Sequence, residues 1–333
     1  SDSLSFVSNK ATTSQENIVL NSNKIILEDQ IIDSNSFGEV NAIIDKAANI
    51  ASITANAEGN FSDLMTLNTS QERADQFTIK VIDDISLEKA NLLNTLTSSS
   101  VNLTKVNDNF SNIVEISDLT PEDSLDGIFI NTAEINVIDT VDNAKSTILN
   151  SFTSNKVTIN DINDSYENIL NIESQKVTED SVNGLDIANS TITVNDSISL
   201  ENVNNINTFT SATITVDLFA DTLSNTEALR SISLDLVDTT NTILTINELV
   251  SFENIITSPL FLEQEYPSLE LTEVADTFLN IVQLNNSLLN GTTDLILEKS
   301  NIQVLDSIDF GNLQTLRSFT DHSIIVDEII GSS

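Results

Sequence analysis

Aspartates recur in this chain at a fixed phase, and a column of carboxylates has two ordinary uses: holding a hard cation or accepting backbone N–H groups. Asp83, Asp139, Asp196 and Asp306 form one column, and Asp108, Asp164, Asp221 and Asp276 form a second. Ca²⁺ takes about six to eight oxygen ligands, so stacked aspartates are the natural metal candidates. Helix caps and strand ends explain the same phase without a metal, because an Asp side chain accepts a free N–H at a helix N-terminus. The cap reading takes precedence, since neither an EF-hand loop nor a Gly-Gly-x-Gly-x-Asp nonapeptide occurs. Calcium remains the alternative for these eight residues, and a counterion for the acidic surface. Asn112, Asn168, Asn225 and Asn280 each follow a second-column Asp by four residues. They read either as a ladder of amides stacked between repeats or as local turn bonds, and both readings stand.

Catalytic chemistry finds little support. His322 is the only histidine, cysteine is absent, and there is neither a serine nucleophile elbow nor a glycine-rich phosphate loop. With 51 acidic residues a carboxylate pair somewhere is expected by chance. The chain reads as non-catalytic and without a cofactor. Asn-x-Ser/Thr sequons such as Asn102-Leu103-Thr104 and Asn290-Gly291-Thr292 are equally expected from a composition so rich in Asn, Ser and Thr.

The elements that hold these residues repeat. Ile79-Lys80-Val81-Ile82-Asp83, Ile135-Asn136-Val137-Ile138-Asp139, Ile192-Thr193-Val194-Asn195-Asp196 and Ile302-Gln303-Val304-Leu305-Asp306 alternate apolar and polar residues as short strands do, and a weaker copy runs from Leu244 to Glu248. Ser86, Asp142, Ser199, Ser251 and Asp309 follow at one phase as predicted helix N-caps. Leu96-Thr97, Phe152-Thr153, Phe209-Thr210 and Phe319-Thr320 precede the next strands at Val101, Val157, Ile214 and Ile324, a step of 22 residues from strand to strand. Between them the apolar positions, such as Leu200, Val203, Ile206 and Phe209, recur every third residue. At about 100° per residue they drift off one narrow face, which predicts a short helix tightening to 3₁₀.

A second module reads Asp108-Asn109-Phe110-Ser111-Asn112, Asp164-Ser165-Tyr166-Glu167-Asn168, Asp221-Thr222-Leu223-Ser224-Asn225 and Asp276-Thr277-Phe278-Leu279-Asn280, with the Asp as predicted N-cap. Phe110, Tyr166, Phe209, Phe278 and Phe319 read as core. Ile128-Phe129-Ile130, Leu185-Asp186-Ile187 and Leu295-Ile296-Leu297 predict a third short strand. The result is an α/β solenoid of short parallel strands alternating with short helices or 3₁₀ turns, in about six repeats of about 55–57 residues. The chain reads as one continuous array: divergent repeats over 1–78, repeats at 79–134, 135–191, 192–243 and 244–301, and a partial repeat at 302–333.

Composition agrees. Only 13 Lys+Arg face 51 Asp+Glu, and the formal net charge of -38 repels phosphate backbones and anionic lipid, so nucleic acid is excluded as a partner. Hydrophobic residues make up 39%, enough for a core despite that charge. No apolar run reaches the about 18 residues a spanning helix needs, so neither membrane insertion nor a leader is expected. Asp2-Ser3-Leu4-Ser5 matches Asp221-Thr222-Leu223-Ser224, and Gly331 falls where a capping Asp is due. The expectation is a segment of a longer array, or a subunit completed head to tail by the next copy.

The strings Ile192-Thr193-Val194-Asn195-Asp196-Ser197-Ile198-Ser199-Leu200 and Val274-Ala275-Asp276-Thr277-Phe278-Leu279-Asn280 resemble the alternating modules of giant repeat-bearing cell-surface proteins of marine unicellular cyanobacteria, a group that includes a surface protein needed for non-flagellar swimming. The resemblance spans nearly the whole chain, with Asn, Ile and Leu here where that family has Ala, Gly and Thr. It implies an exported, very large or polymeric surface structure with no active site to transfer. The functional expectation is therefore an extracellular or cell-surface structural protein that partners itself in a fibre, filament or surface layer. The competing expectation is an adhesin or phage tail-fibre-like module that recognises a cell surface or glycan.

Overall fold

The computed structural model describes residues 24–46, 52–69, 75–119, 127–177, 183–229, 236–259, 268–287 and 294–331. The Asp2 motif and the Asn290 sequon lie outside them. The chain forms two compact units, one of residues 1–161 and 172–187, the other of residues 162–171 and 188–333.

In the first unit, strands β1 (Lys24–Ile32), β2 (Ser52–Gly59), β3 (Gln76–Ile85), β4 (Ser100–Asp108), β6 (Glu134–Val141) and β7 (Lys156–Asp164, of which residues 162–164 are assigned to the second unit) line up in a parallel sheet. The short β5 (Gly127–Phe129) lies beside β4, and β8 (Gly184–Asp186) beside β7. In the second unit the order is β9 (Thr191–Ile198), β10 (Ile214–Asp221), β12 (Ile243–Val250), β13 (Ser268–Asp276), β15 (Asn301–Val304) and β17 (Ile324–Val326). There β11 (Val237–Asp238) lies beside β10 and β14 (Asp294–Ile296) beside β13, while β16 (Ile308–Asp309) pairs with β18 (Ile329–Ile330). Each unit is thus an α/β solenoid, with short helices joining parallel strands that are neighbours in both sequence and space.

Register fixes how a repeat winds. Ile79 lies opposite Val101, and Ile192 opposite Ile214, a step of 22 residues. Val101 lies opposite Ile128 but Val106 opposite Ile135, steps of 27 and 29. One repeat therefore makes two coils, a short one and a longer one whose strand is split into a half-strand and a full strand. The third strand expected near Ile128, Leu185 and Leu295 is this half-strand. Gly127 and Gly184 open two of them with φ of 117° and 135°. A Cβ on Gly184 would stand 2.8 Å from the Gln175 carbonyl oxygen, so only glycine fits that entry.

Alternation places Ile79, Val81 and Ile85, and likewise Ile192, Val194 and Ile198, inward and buried. Between the last two of each set the register slips by one residue, a bulge that bends the strand just where Asp83 or Asp196 stands. Short helices such as Leu87–Asn94 and Leu200–Ile206 bury Ala90 and Leu93, or Val203 and Ile206, to complete the core. The helix Leu200–Ile206 ends in i→i−3 bonds, Thr208 N to Asn205 O and Phe209 N to Ile206 O, as the three-residue apolar spacing requires. Phe110, Tyr166, Phe209, Phe278 and Phe319 prove half-buried rather than core, because each stands at or beyond a helix end, while Phe77 and Phe219, inward on strands, are fully buried.

Candidate functional site: the carboxylate seam between coils

The first four N–H groups of a helix have no partner within it. Here two of them are satisfied, from two directions. The residue before the helix caps the third N–H within the same coil: Asp142 accepts from Lys145 N, Ser199 from Asn202 N, Asp309 from Asn312 N, and Ser251 closes a reciprocal box with Asn254. Ser86 holds the cap position but makes no side-chain cap bond.

The first N–H of the helix is capped from the next coil. In the first unit Phe61 N donates to Asp83 Oδ1 at 2.9 Å, Leu87 N to Asp108 Oδ2 at 2.8 Å, and Phe110 N to Asp139 Oδ1 at 2.7 Å. In the second unit Tyr166 N donates to Asp196 Oδ1 at 2.8 Å, Leu200 N to Asp221 Oδ2 at 2.9 Å, and Leu223 N to Glu248 Oε1 at 2.7 Å. Phe252 N and Phe278 N continue the series onto Asp276 Oδ2 at 2.9 Å and Asp306 Oδ1 at 2.7 Å. The helix dipole adds to each bond, because the acceptor is an anion at a helix N-terminus.

This geometry corrects the reading of the second column. Asp108 is not the N-cap of the helix Phe110–Asp118; Asn109 is, accepting from Asn112 N at 2.9 Å. Thr222 and Thr277 likewise receive Asn225 N and Asn280 N. The aspartate stands one residue earlier, at the strand end, and joins two coils. Its Oδ1 accepts the next backbone N–H and the amide of the Asn four residues on, as Asp221 does from Thr222 N at 2.8 Å and Asn225 Nδ2 at 2.9 Å. Asp164 accepts the same pair from Ser165 and Asn168, and Asp108 and Asp276 do so with Asn112 and Asn280. The four asparagines thus donate within their own repeat. Burial alone pushes the Asp221 carboxyl up, but the N–H donors of Leu200, Asn225 and Thr222 together hold it below the ordinary carboxylate value.

Amide ladders do occur elsewhere. Asn136 Nδ2 donates to Asn107 Oδ1 at 3.0 Å and Asn160 Nδ2 to Asn136 Oδ1 at 3.1 Å in the first unit, and Asn195 Nδ2 to Asn163 Oδ1 at 3.0 Å in the second. No short sequence string announces them; only strand register brings them together. Asn102 of the first sequon faces the same way and reaches the Ile79 carbonyl at 3.5 Å.

A second seam is built from hydroxyls. Thr97, Thr153, Thr210 and Thr320 are buried, and each donates to a carbonyl 20 residues earlier: Phe77 O at 2.8 Å, Ala133 O at 2.6 Å, Ser190 O at 2.6 Å and Ser300 O at 2.7 Å. Each also accepts the N–H two residues on, as Thr210 does from Ala212 N at 3.0 Å.

Among the described residues no group of three or more Asp, Glu, His or Cys side chains gathers as a metal centre. No described helix is long and apolar enough to cross a membrane. His322 is exposed, and its backbone N–H bonds Thr320. Comparison with family models, curated proteins and solved structures finds no match for this chain.

Proposed function

We propose that this chain is a non-catalytic structural protein of the cell surface or extracellular space, whose repeats stack into a rod and assemble head to tail into a fibre, filament or surface layer. The complementarity of successive coils carries this reading. One coil offers a helix N–H and the next a carboxylate, at every step the distances above record, so any coil's leading face suits another's trailing face. The resemblance of its motif strings to those of the cyanobacterial surface proteins supports the same reading. Calcium enters as a counterion that lowers repulsion across a surface of net charge -38.

Electron microscopy and light scattering of the full chain across a concentration series, with and without calcium, test the proposal. Elongated particles that lengthen by end-to-end addition are expected. A strictly monomeric species at high concentration under both conditions would overturn it, and a saturable hit on a glycan array would favour the adhesin reading instead.

A further inference from the structure

On the outward face of the sheet in the second unit, β12, β13, β15 and β17 run side by side and enclose a groove of about 230 Å³. Leu249 lies opposite Glu273, and Glu273 opposite Asn301. Ser323 extends that row by donating to Asn301 Oδ1 at 2.6 Å. Two residues along, Ile325 lies opposite Gln303. Leu249 and Ile325, 55% and 56% exposed, form two aliphatic walls.

The chain itself shows what such a place takes. On outward sheet positions Lys80 Nζ stands 3.2 Å from Glu58 and Lys156 Nζ 3.3 Å from Asp186, and from the turn before β15 Lys299 Nζ reaches Glu270 at 3.2 Å. Glu270 and Glu273 share β13, three residues apart. Lys299 answers the first, and among the described residues no cation answers the second.

We propose that this groove binds the side chain of a lysine presented by an extended segment of a partner polypeptide. The ammonium has three N–H donors, and the Glu273 carboxylate with the side-chain carbonyls of Gln303 and Asn301 supplies three acceptors. The alkyl stem lies against Leu249 and Ile325, as lysine stems do on apolar surface. A net charge of -38 draws cations toward the protein and repels anions. Arginine fits less well, because its planar fork favours a bidentate carboxylate over three separate oxygens. The site stands apart from the assembly reading and does not depend on it.

An NMR titration of the full chain with the capped peptide Ac-Ala-Lys-Ala-NH₂ tests it, beside peptides carrying norleucine or arginine in the middle. Saturable shifts confined to the amides of Glu273, Asn301, Gln303 and Ile325 are expected. Glu273→Gln should weaken binding about fivefold, the scale of one partly exposed ion pair. Added salt should weaken it as well, and Glu201→Gln on a distant helix should not. Unsaturating shifts spread over the acidic surface, equal binding by Glu273→Gln, or equal binding of the norleucine or arginine peptide would overturn the assignment.

Discussion

At the scale of single residues, the seam aspartates work because one carboxylate has two oxygens. Asp221 spends Oδ1 on its own turn and Oδ2 on Leu200, 21 residues upstream. Its pKa is depressed, so the stability it contributes is present above the unfolded-state value and lost as pH falls through the folded one. Urea midpoints measured from neutral pH into the acid range should fall less steeply in Asp221→Asn than in the parent chain. The hydroxyl seam gives a sharper case. Thr210→Val keeps the shape but removes the hydroxyl that donates to the Ser190 carbonyl and accepts from Ala212 N. It should cost about 1 kcal/mol by chemical denaturation, the net scale of an intramolecular hydrogen bond.

At the scale of elements, helices of seven to ten residues, such as Leu200–Ile206 and Asn143–Phe152, are too short to persist on propensity. Their ends must be held from outside. Ser251 closes a capping box on the helix Phe252–Thr257, whereas Ser86, at the same phase, makes no cap bond. Ser251→Ala should therefore cost about 1 kcal/mol while Ser86→Ala changes the midpoint little, a pairing that denaturation of the two variants decides. Strands, half-strands, helices and the two-module repeat were legible because period-two alternation and cap residues act locally. The partner of each aspartate was not. Asp108 and Leu87 are brought together by strand register and a bulge, and neither leaves a mark in a short window of sequence. Asn109 was missed as a cap because Asp108 beside it is an equally good cap type. The signal that could have found the seam is the spacing itself: Leu87 to Asp108 and Leu200 to Asp221 are both 21 residues, nearly the 22-residue strand step.

At the scale of the whole molecule, a charge of -38 on 333 residues works against compaction, and the seam bonds that oppose it run between neighbouring coils. Raising sodium chloride from about 0.01 M to about 0.15 M shortens the screening length from about 30 Å to about 8 Å. Melting temperature should rise over that range, and a flat or falling trend would mean that self-repulsion is not what limits stability. Since a seam carboxylate joins its coil to the one before it, as Asp221 joins Leu200, damage there should be felt upstream. Hydrogen exchange of Asp221→Ala tests this most directly. Protection should fall at the amide of Leu200 as well as at Thr222, next to the substitution. If Leu200 keeps its protection and only the turn at residues 222–225 responds, the carboxylate is a local cap and the interlocking of coils through this seam is contradicted.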